Sequence, residues 1–245
     1  MTSHILFDFF GTLVEYSASR TEQGYPRSFA WLVSHGAELD YPGFLELWSR
    51  TSSEFDRRAE ASLREFSMGE LGRAFLERAL PRPPEDERVD AFVASYLAEW
   101  NKGVRFSGRT GALVARLAER YELAVVTNTH DPDLVPGHLE AMGLSGCFRR
   151  VFTSVELGTR KPHPEIFRHA LRELDIGPTE CVFVGDDLLA DYRGARGAGI
   201  RGLLIDPERR AELPEADRLG SLLDLEAVLA DRDAPRSDRQ RRPAP

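Results

Sequence analysis

The sequence predicts an α/β fold, a Rossmann-like doubly wound parallel sheet with an inserted all-helical cap domain. Three observations lead there. Short apolar runs ended by Gly or polar residues alternate with helical patterns in the second half of the chain. The stretch from about 16 to 104 breaks that rhythm and shows helical spacing alone. The length of 245 residues suits one domain, or one domain carrying a smaller one.

Five segments read as buried strands: "HILFDFF" (4–10), "LAVVTNT" (123–129), "RVFTS" (150–154), "CVFVGDD" (181–187) and "GLLID" (202–206). Near-continuous apolar strands belong to a sheet covered on both faces. Helical patterns separate the last four: "DPDLVPGHLEAMGL", "HPEIFRHALRELDIG" and the shorter "ADYRGARGAG". Strand, helix and strand in alternation imply right-handed parallel crossovers. The insert carries helical spacing in "FAWLVSHG", "FLELWSRTSSEF", "LGRAFLERAL" and "VDAFVASYLAEW", with the Pro-rich break "LPRPPEDE" inside it. The expected division is a core of 1–15 and 105–230, a cap of 16–104 over the carboxyl edge of the sheet, and a polar, disordered tail of 231–245.

Composition narrows the functional classes. The chain is 42% hydrophobic and 29% charged, with a formal net charge of −8. That balance argues against nucleic-acid or anionic-membrane partners. No apolar run reaches the roughly 18 residues of a membrane span. With no secretion signal at the N-terminus, a cytoplasmic protein is expected. Cys147 and Cys181 form neither a disulfide framework nor a zinc site, and both read as core residues. Of 32 basic residues only Lys102 and Lys161 are lysines, and Asn occurs only at Asn101 and Asn128. Where Arg is so strongly preferred, a lysine that remains marks a position needing a compact ammonium.

Four pieces carry chemistry. Asp8 ends the first strand, where open α/β sheets hold ligands, and Gly11 permits a sharp turn after it. Thr127 and Asn128 end the next strand with side chains free to donate hydrogen bonds. Lys161 stands before a Pro and a helix start. Asp186, Asp187 and Asp191 follow a buried strand, and like charges so placed call for a cation or a proton.

Taken in order, "DFFGT", "VTNT", "RKPHPEIF" and "GDDLLAD" resemble the motifs of the haloacid dehalogenase-like hydrolase superfamily. The resemblance spans residues 8 to 191 and implies a Rossmann-like core with a helical cap. It implies Asp8 as a nucleophile forming a covalent aspartyl intermediate. Asp8, Asp186 and the backbone carbonyl of Phe10 would hold Mg²⁺. Thr127 would bind a phosphoryl oxygen and Lys161 would stabilise charge. Asp187 and Asp191 would orient Lys161 or metal-bound water. The implied substrate is a small phosphorylated metabolite.

Phe10 departs from the family pattern, which has a second Asp there as general acid and base. That group is worth about 10²–10⁴-fold in rate. Three readings follow. The first is a Mg²⁺-dependent phosphatase with a good leaving group or another proton donor such as His130. The second is a metal-independent 2-haloacid dehalogenase, whose branch resembles this chain in having an aromatic at that position. The third is a non-catalytic phosphate-binding relative. The acidic cluster favours the phosphatase. A phosphonate-cleaving branch uses a cap lysine, and here Lys102 is the sole cap-side candidate. Arg20, Arg27, Arg50, Arg57 and Arg58 are candidate clamps for a substrate anion. Asn101 and Lys102 fall in the return linker, a hinge position.

Overall fold

Strand β1 (His4–Phe7) lies inside a six-stranded parallel sheet of order β3-β2-β1-β4-β5-β6. The other strands are β2 (Glu122–Thr127), β3 (Phe148–Thr153), β4 (Cys181–Gly185), β5 (Arg201–Ile205) and β6 (Arg218–Leu219). The computed structural model describes residues 2–17 and 23–233. Side chains alternate across the pleat, so Ile5 and Phe7 join one core while Leu6 joins the other. The first core packs under α5 (Gly108–Ala118), α6 (Leu134–Ala141) and α10 (Leu225–Asp233). The second packs under α8 (Pro164–Leu174) through Ile166, Phe167 and Ala170. This is the doubly wound α/β arrangement the strand pattern predicts.

The chain runs outward from β1 to β2 and β3, then returns to place β4 on the other side of β1. The direction of winding reverses at β1, and the crevice at the carboxyl ends of such strands is where ligands bind. The strands are shorter than the apolar runs suggest. After Phe7 the chain leaves the ladder, and the amides of Thr12, Leu13 and Val14 turn back onto the Phe9 carbonyl. The polar residues after Thr127 and Gly185 likewise leave the sheet for the crevice. The expected helix in "ADYRGARGAG" is instead a wide π-turn, Leu188–Arg193, followed by the short α9 (Gly194–Gly197). The two-residue strand β6 is too short to leave a periodic signal.

Among the described residues, four α-helices stand between β1 and α5: α1 (Pro26–Ser34), α2 (Tyr41–Ser62), α3 (Met68–Ala79) and α4 (Asp86–Trp100). Asp40 caps α2 through Gly43 N, and Ser67 with Glu70 forms a capping box on α3. The four share their own core of Tyr25, Phe44, Trp48, Phe75, Phe92 and Tyr96. Glu99, fully buried on α4, accepts from the amides of Arg27 and Ser28 and from Ser28 Oγ at 2.7–2.9 Å. One carboxylate thus satisfies the open amides of α1 and ties the first helix to the last.

Two seams join this insert to the sheet domain. Glu15 and Arg105 exchange backbone hydrogen bonds of 2.8 Å, so the entering and returning linkers lie side by side. The α2–α3 loop pairs with the segment before Lys161, through Glu65 N to Gly158 O and Arg160 N to Leu63 O. Met68 N adds a bond of 2.7 Å to the carbonyl of His130. Residues 231–233 continue α10, whereas Arg20 and the rest of the expected tail, 234–245, lie outside the described residues.

Candidate active site

Each loop that leaves β1, β2 and β4 at the reversal point delivers one of the polar residues flagged in the sequence. Asp8 follows β1 and is buried. Its Oδ1 accepts from Thr127 Oγ1 at 3.0 Å and from Lys161 Nζ at 2.6 Å. Lys161 Nζ also donates to Asp191 Oδ1 at 2.6 Å. Its side chain is only 2% exposed, so this ammonium is bracketed by two carboxylates out of bulk water. Burial works against the charged amine, but Asp191 and Asp8 outweigh it and raise its pKa to about 12. Asn128 clasps the backbone of the same lysine, accepting from Lys161 N at 2.8 Å and donating to Lys161 O at 3.1 Å. That clasp holds the backbone that carries the ammonium, so the Asn128 amide the sequence leaves free to donate is spent on Lys161.

The π-turn explains the spacing of the acids after β4. Asp187 begins it, and its Oδ1 accepts from the amides of Leu189 and Ala190 at 2.7 and 2.6 Å. Asp187 therefore caps the turn, and Asp191 is the acid that reaches Lys161. The wide turn brings Asp191 back under β4, where Oδ2 accepts from the amides of Asp186 and Asp187 at 3.1 and 3.0 Å. Burial pushes Asp191 upward, against the pull of Lys161. The ammonium and two backbone donors pull the other way, toward the charged form. Gly185 is required beneath it, because a Cβ there would stand 2.3 Å from Asp191 Oδ2.

Asp186 faces the open crevice and accepts from Thr12 Oγ1 at 3.1 Å. The crowded crevice wall desolvates it, Asp8 repels its charge, and its pKa is pushed up to about 6 although solvent reaches the residue. Gly11 lies against this carboxylate with φ +89°, and a Cβ on it would fall 2.3 Å from Asp186 Oδ2. Two constraints select glycine at one position: left-handed backbone and close approach. Carboxylate oxygens of Asp8, Asp186 and Asp191 lie within 4.8 Å of one another. Asp191 is occupied by its donors, so Asp8 and Asp186 are the pair with oxygens to offer a cation. Hard oxygen donors and mutual repulsion relieved by positive charge fit Mg²⁺.

The crevice opens into a cavity of about 580 Å³ between the sheet and the helical insert. Phe10 forms part of its wall, with its ring edge-on to Phe9, Tyr16 and Trp100 at centroid distances of 5.0–5.8 Å. His138 stacks on Phe9, burial lowers its pKa, and its Nε2 lies 3.1 Å from Asn101 Oδ1. The scarce Asn101 thereby fixes the return linker to α6. None of Arg27, Arg50, Arg57 and Arg58 lines the cavity, nor does Lys102. The cavity arginine is Arg160, which faces Glu65.

Sequence reasoning missed Glu65. Its carboxylate is wholly buried and accepts from Ser154 Oγ at 2.6 Å, with His130 Nδ1 at 3.1 Å and Arg160 Nη1 at 3.6 Å. Burial opposes its charge, but these partners hold its pKa below the usual carboxylate value. Thr12 was visible only as part of "DFFGT", and the wall aromatics Trp48, Tyr96 and Trp100 carry no sequence signal apart from ordinary helical spacing.

Asp8, the bracketed Lys161 and two further acids, Asp186 and Asp191, meet at the reversal point of a doubly wound sheet. The pattern of the haloacid dehalogenase-like hydrolases matches residues 2–199, and the chain belongs to that family. It is 27% identical over 242 residues to a ribulose-1,5-bisphosphate 5-phosphatase of Halopiger xanaduensis, covering 92% of this chain and 99% of that one. It is 30% identical to Protein CbbY of Cereibacter sphaeroides, over 89% and 91% of the two chains. A phosphoserine phosphatase of Thermus thermophilus is 42% identical, but the match spans only 42% of each chain. A solved 2-haloacid dehalogenase from Pseudomonas syringae superimposes with a TM-score of 0.73 at 23% identity, over 94% of this chain and 99% of that one, which speaks to the fold alone.

Proposed function

We propose that this hydrolase is a Mg²⁺-dependent phosphatase acting on a small phosphorylated compound through an aspartyl-phosphate intermediate. The observation that carries the reading is the crowding of Asp8, Asp186 and Asp191 around a single ammonium, with Asp186 raised in pKa by burial and by Asp8. Three acids on one lysine suit a site built for an added cation. Phosphatase relatives matched along nearly their whole length support it.

Asp8, Asp186 and the Phe10 carbonyl would hold the ion. When bound it supplies charge neutralisation that lets an anionic phosphoryl group approach an anionic nucleophile. Asp8 attacks phosphorus, and the bond to the leaving oxygen breaks with its electron pair. Thr127 and Lys161 then find acceptors on the phosphoryl oxygens as well as on Asp8, which places donors where charge gathers. Asp191 and the Asn128 clasp keep Lys161 aimed, and Asp187 holds the turn that presents Asp186 and Asp191. Water cleaves the aspartyl phosphate and restores Asp8. The helical insert acts as a cap over this step and excludes bulk water.

The test is release of phosphate from an activated aryl phosphate with and without Mg²⁺, on wild type and on Asp8→Asn. Expected are turnover that stops on chelation and no turnover in the variant; activity retained by Asp8→Asn refutes the nucleophile. The dehalogenase reading has one observation in its favour, the aromatic Phe10 where an acid would stand. Halide release from a short 2-haloacid, indifferent to chelator, would establish it instead.

A further inference from the structure

The helical insert meets the site with an almost wholly apolar wall. Trp48, Leu71, Tyr96, Leu97 and Trp100 line the cavity from the insert, and Phe10 from the sheet side. Among the described residues, Glu60 is the one charged side chain the insert contributes, and it is an acid. The two cations in the cavity belong to the sheet domain, and both face carboxylates. Lys161 lies between Asp8 and Asp191, and Arg160 Nη1 lies 3.6 Å from Glu65 Oε1. A second anion on the substrate, whether phosphate or carboxylate, would meet the acids Glu60 and Asp131; the cation nearest to hand is Arg160, whose Nη1 makes no hydrogen bond but already faces Glu65 at 3.6 Å.

The chemistry of the floor points the same way. Phe10 holds no proton to give, so the leaving oxygen departs as an anion unless His130, which also lines the cavity, protonates it. A phenol ionises near pH 10, whereas an alkanol resists ionisation about as much as water, near 16. An aryl ester therefore departs without help where an alkyl ester needs an acid. The ring of such a leaving group would lie against Phe10, Tyr16 and Trp100, where Phe10 meets the other two edge-on at 5.4–5.8 Å and Tyr16 is tilted against Trp100 at 6.4 Å.

We propose that the substrate is a phosphomonoester of an uncharged aromatic alcohol, its ring held in the aromatic cavity and its oxygen leaving as an aryloxide. The inference rests on the phosphatase reading. In the step, the bond from Asp8 Oδ to phosphorus forms as the bond to the aryl oxygen breaks. The electron pair stays on that oxygen, which takes its proton from water after release. Water then attacks phosphorus, the Asp8 carboxylate leaves, and the proton of the water goes to solvent.

The test uses the wild-type chain with Mg²⁺ and two non-hydrolysable probes, benzylphosphonate and phosphonoacetate, titrated calorimetrically. Benzylphosphonate is expected to bind at least tenfold more tightly. Phenyl phosphate is expected to be turned over at least 100-fold faster than glycerol phosphate, the span that a general acid would otherwise close. Equal or tighter binding of phosphonoacetate overturns the proposal, as does failure of both probes to bind. A variant Leu97→Arg, which adds a cation to the wall, is expected to narrow or invert the preference between the probes. If glycerol phosphate is the better substrate, the phosphatase reading stands and the substrate class falls. If no phosphoester is cleaved with Mg²⁺ while a 2-haloacid is, both fall.

Discussion

Replacing Lys161 with Met removes an ammonium that two buried carboxylates share at 2.6 Å each. The rise of its pKa from 10.5 to about 12 corresponds to about 2 kcal/mol favouring the charged form in the folded chain. The sign is that of a base with a raised pKa. Its stabilisation is fully present below pH 10.5 and is lost as the pH rises through 12. Truncation does more than remove this stabilisation, because it leaves Asp8 and Asp191 facing each other with no countercharge. Breaking a buried pair in this way costs about 3–5 kcal/mol. For a chain of this size each kcal/mol lowers the melting temperature by about 2–4 °C, so the loss at pH 7.5 is about 6–20 °C. Burial already raises Asp191, and without the ammonium it takes up a proton more readily as the pH falls, so the gap to wild type should narrow at pH 5. The assay is thermal unfolding of both proteins at the two pH values without Mg²⁺. A gap under about 2 °C at pH 7.5, or one that widens at pH 5, would refute the picture of a lysine holding two ionised acids together.

Other consequences follow from the same geometry. Gly11→Ala must place a Cβ 2.3 Å from Asp186 Oδ2 at φ +89°. It is expected to lose about 1–2 kcal/mol of stability and to weaken Mg²⁺ binding, read by denaturant melts and calorimetric titration. Because Asp186 is held near pKa 6, protons compete with the metal below that pH. The apparent Mg²⁺ association constant should fall about tenfold per unit below pH 6 and level off above it, with proton release seen as a dependence on buffer ionisation enthalpy. Glu65→Gln leaves Ser154 its partner but removes the charge facing His130 and Arg160. It should destabilise by about 1.5–3 kcal/mol and speed proteolysis of the α2–α3 loop; an unchanged digestion pattern would deny Glu65 a part in holding the insert.

The fold class was legible because a sheet buried on both faces needs apolar runs that stand out from an otherwise polar chain. Asp8, Lys161 and the acids after β4 were legible for a different reason. Charged residues at the ends of buried strands are expensive unless they act together. The scarcity of lysine and asparagine also carried information. Lys161 is the bracketed ammonium, Asn128 clasps it, and Asn101 meets His138. What stayed hidden depends on contacts between distant segments. Nothing near Glu65 in the chain shows that Ser154, His130 and Arg160 will surround it. The stretch "ADYRGARGAG" reads as helix, whereas its first part belongs to a π-turn that Asp187 caps. The cap arginines were chosen on charge, while the cavity is shaped by the apolar faces of the same helices.

The position of β1 in the sheet has a consequence during synthesis. It is made before the other five strands of its sheet, yet one of its two edges pairs with β4, and Thr12 and Asp186 are 174 positions apart. At about 5–20 residues per second, that edge stays open for roughly 9–35 s on the ribosome. Over that interval "HILF" is an unpaired apolar strand, the kind of segment other chains add to. A nascent-chain series arrested before and after residue 185 should show chaperone capture or aggregation ending once β4 emerges.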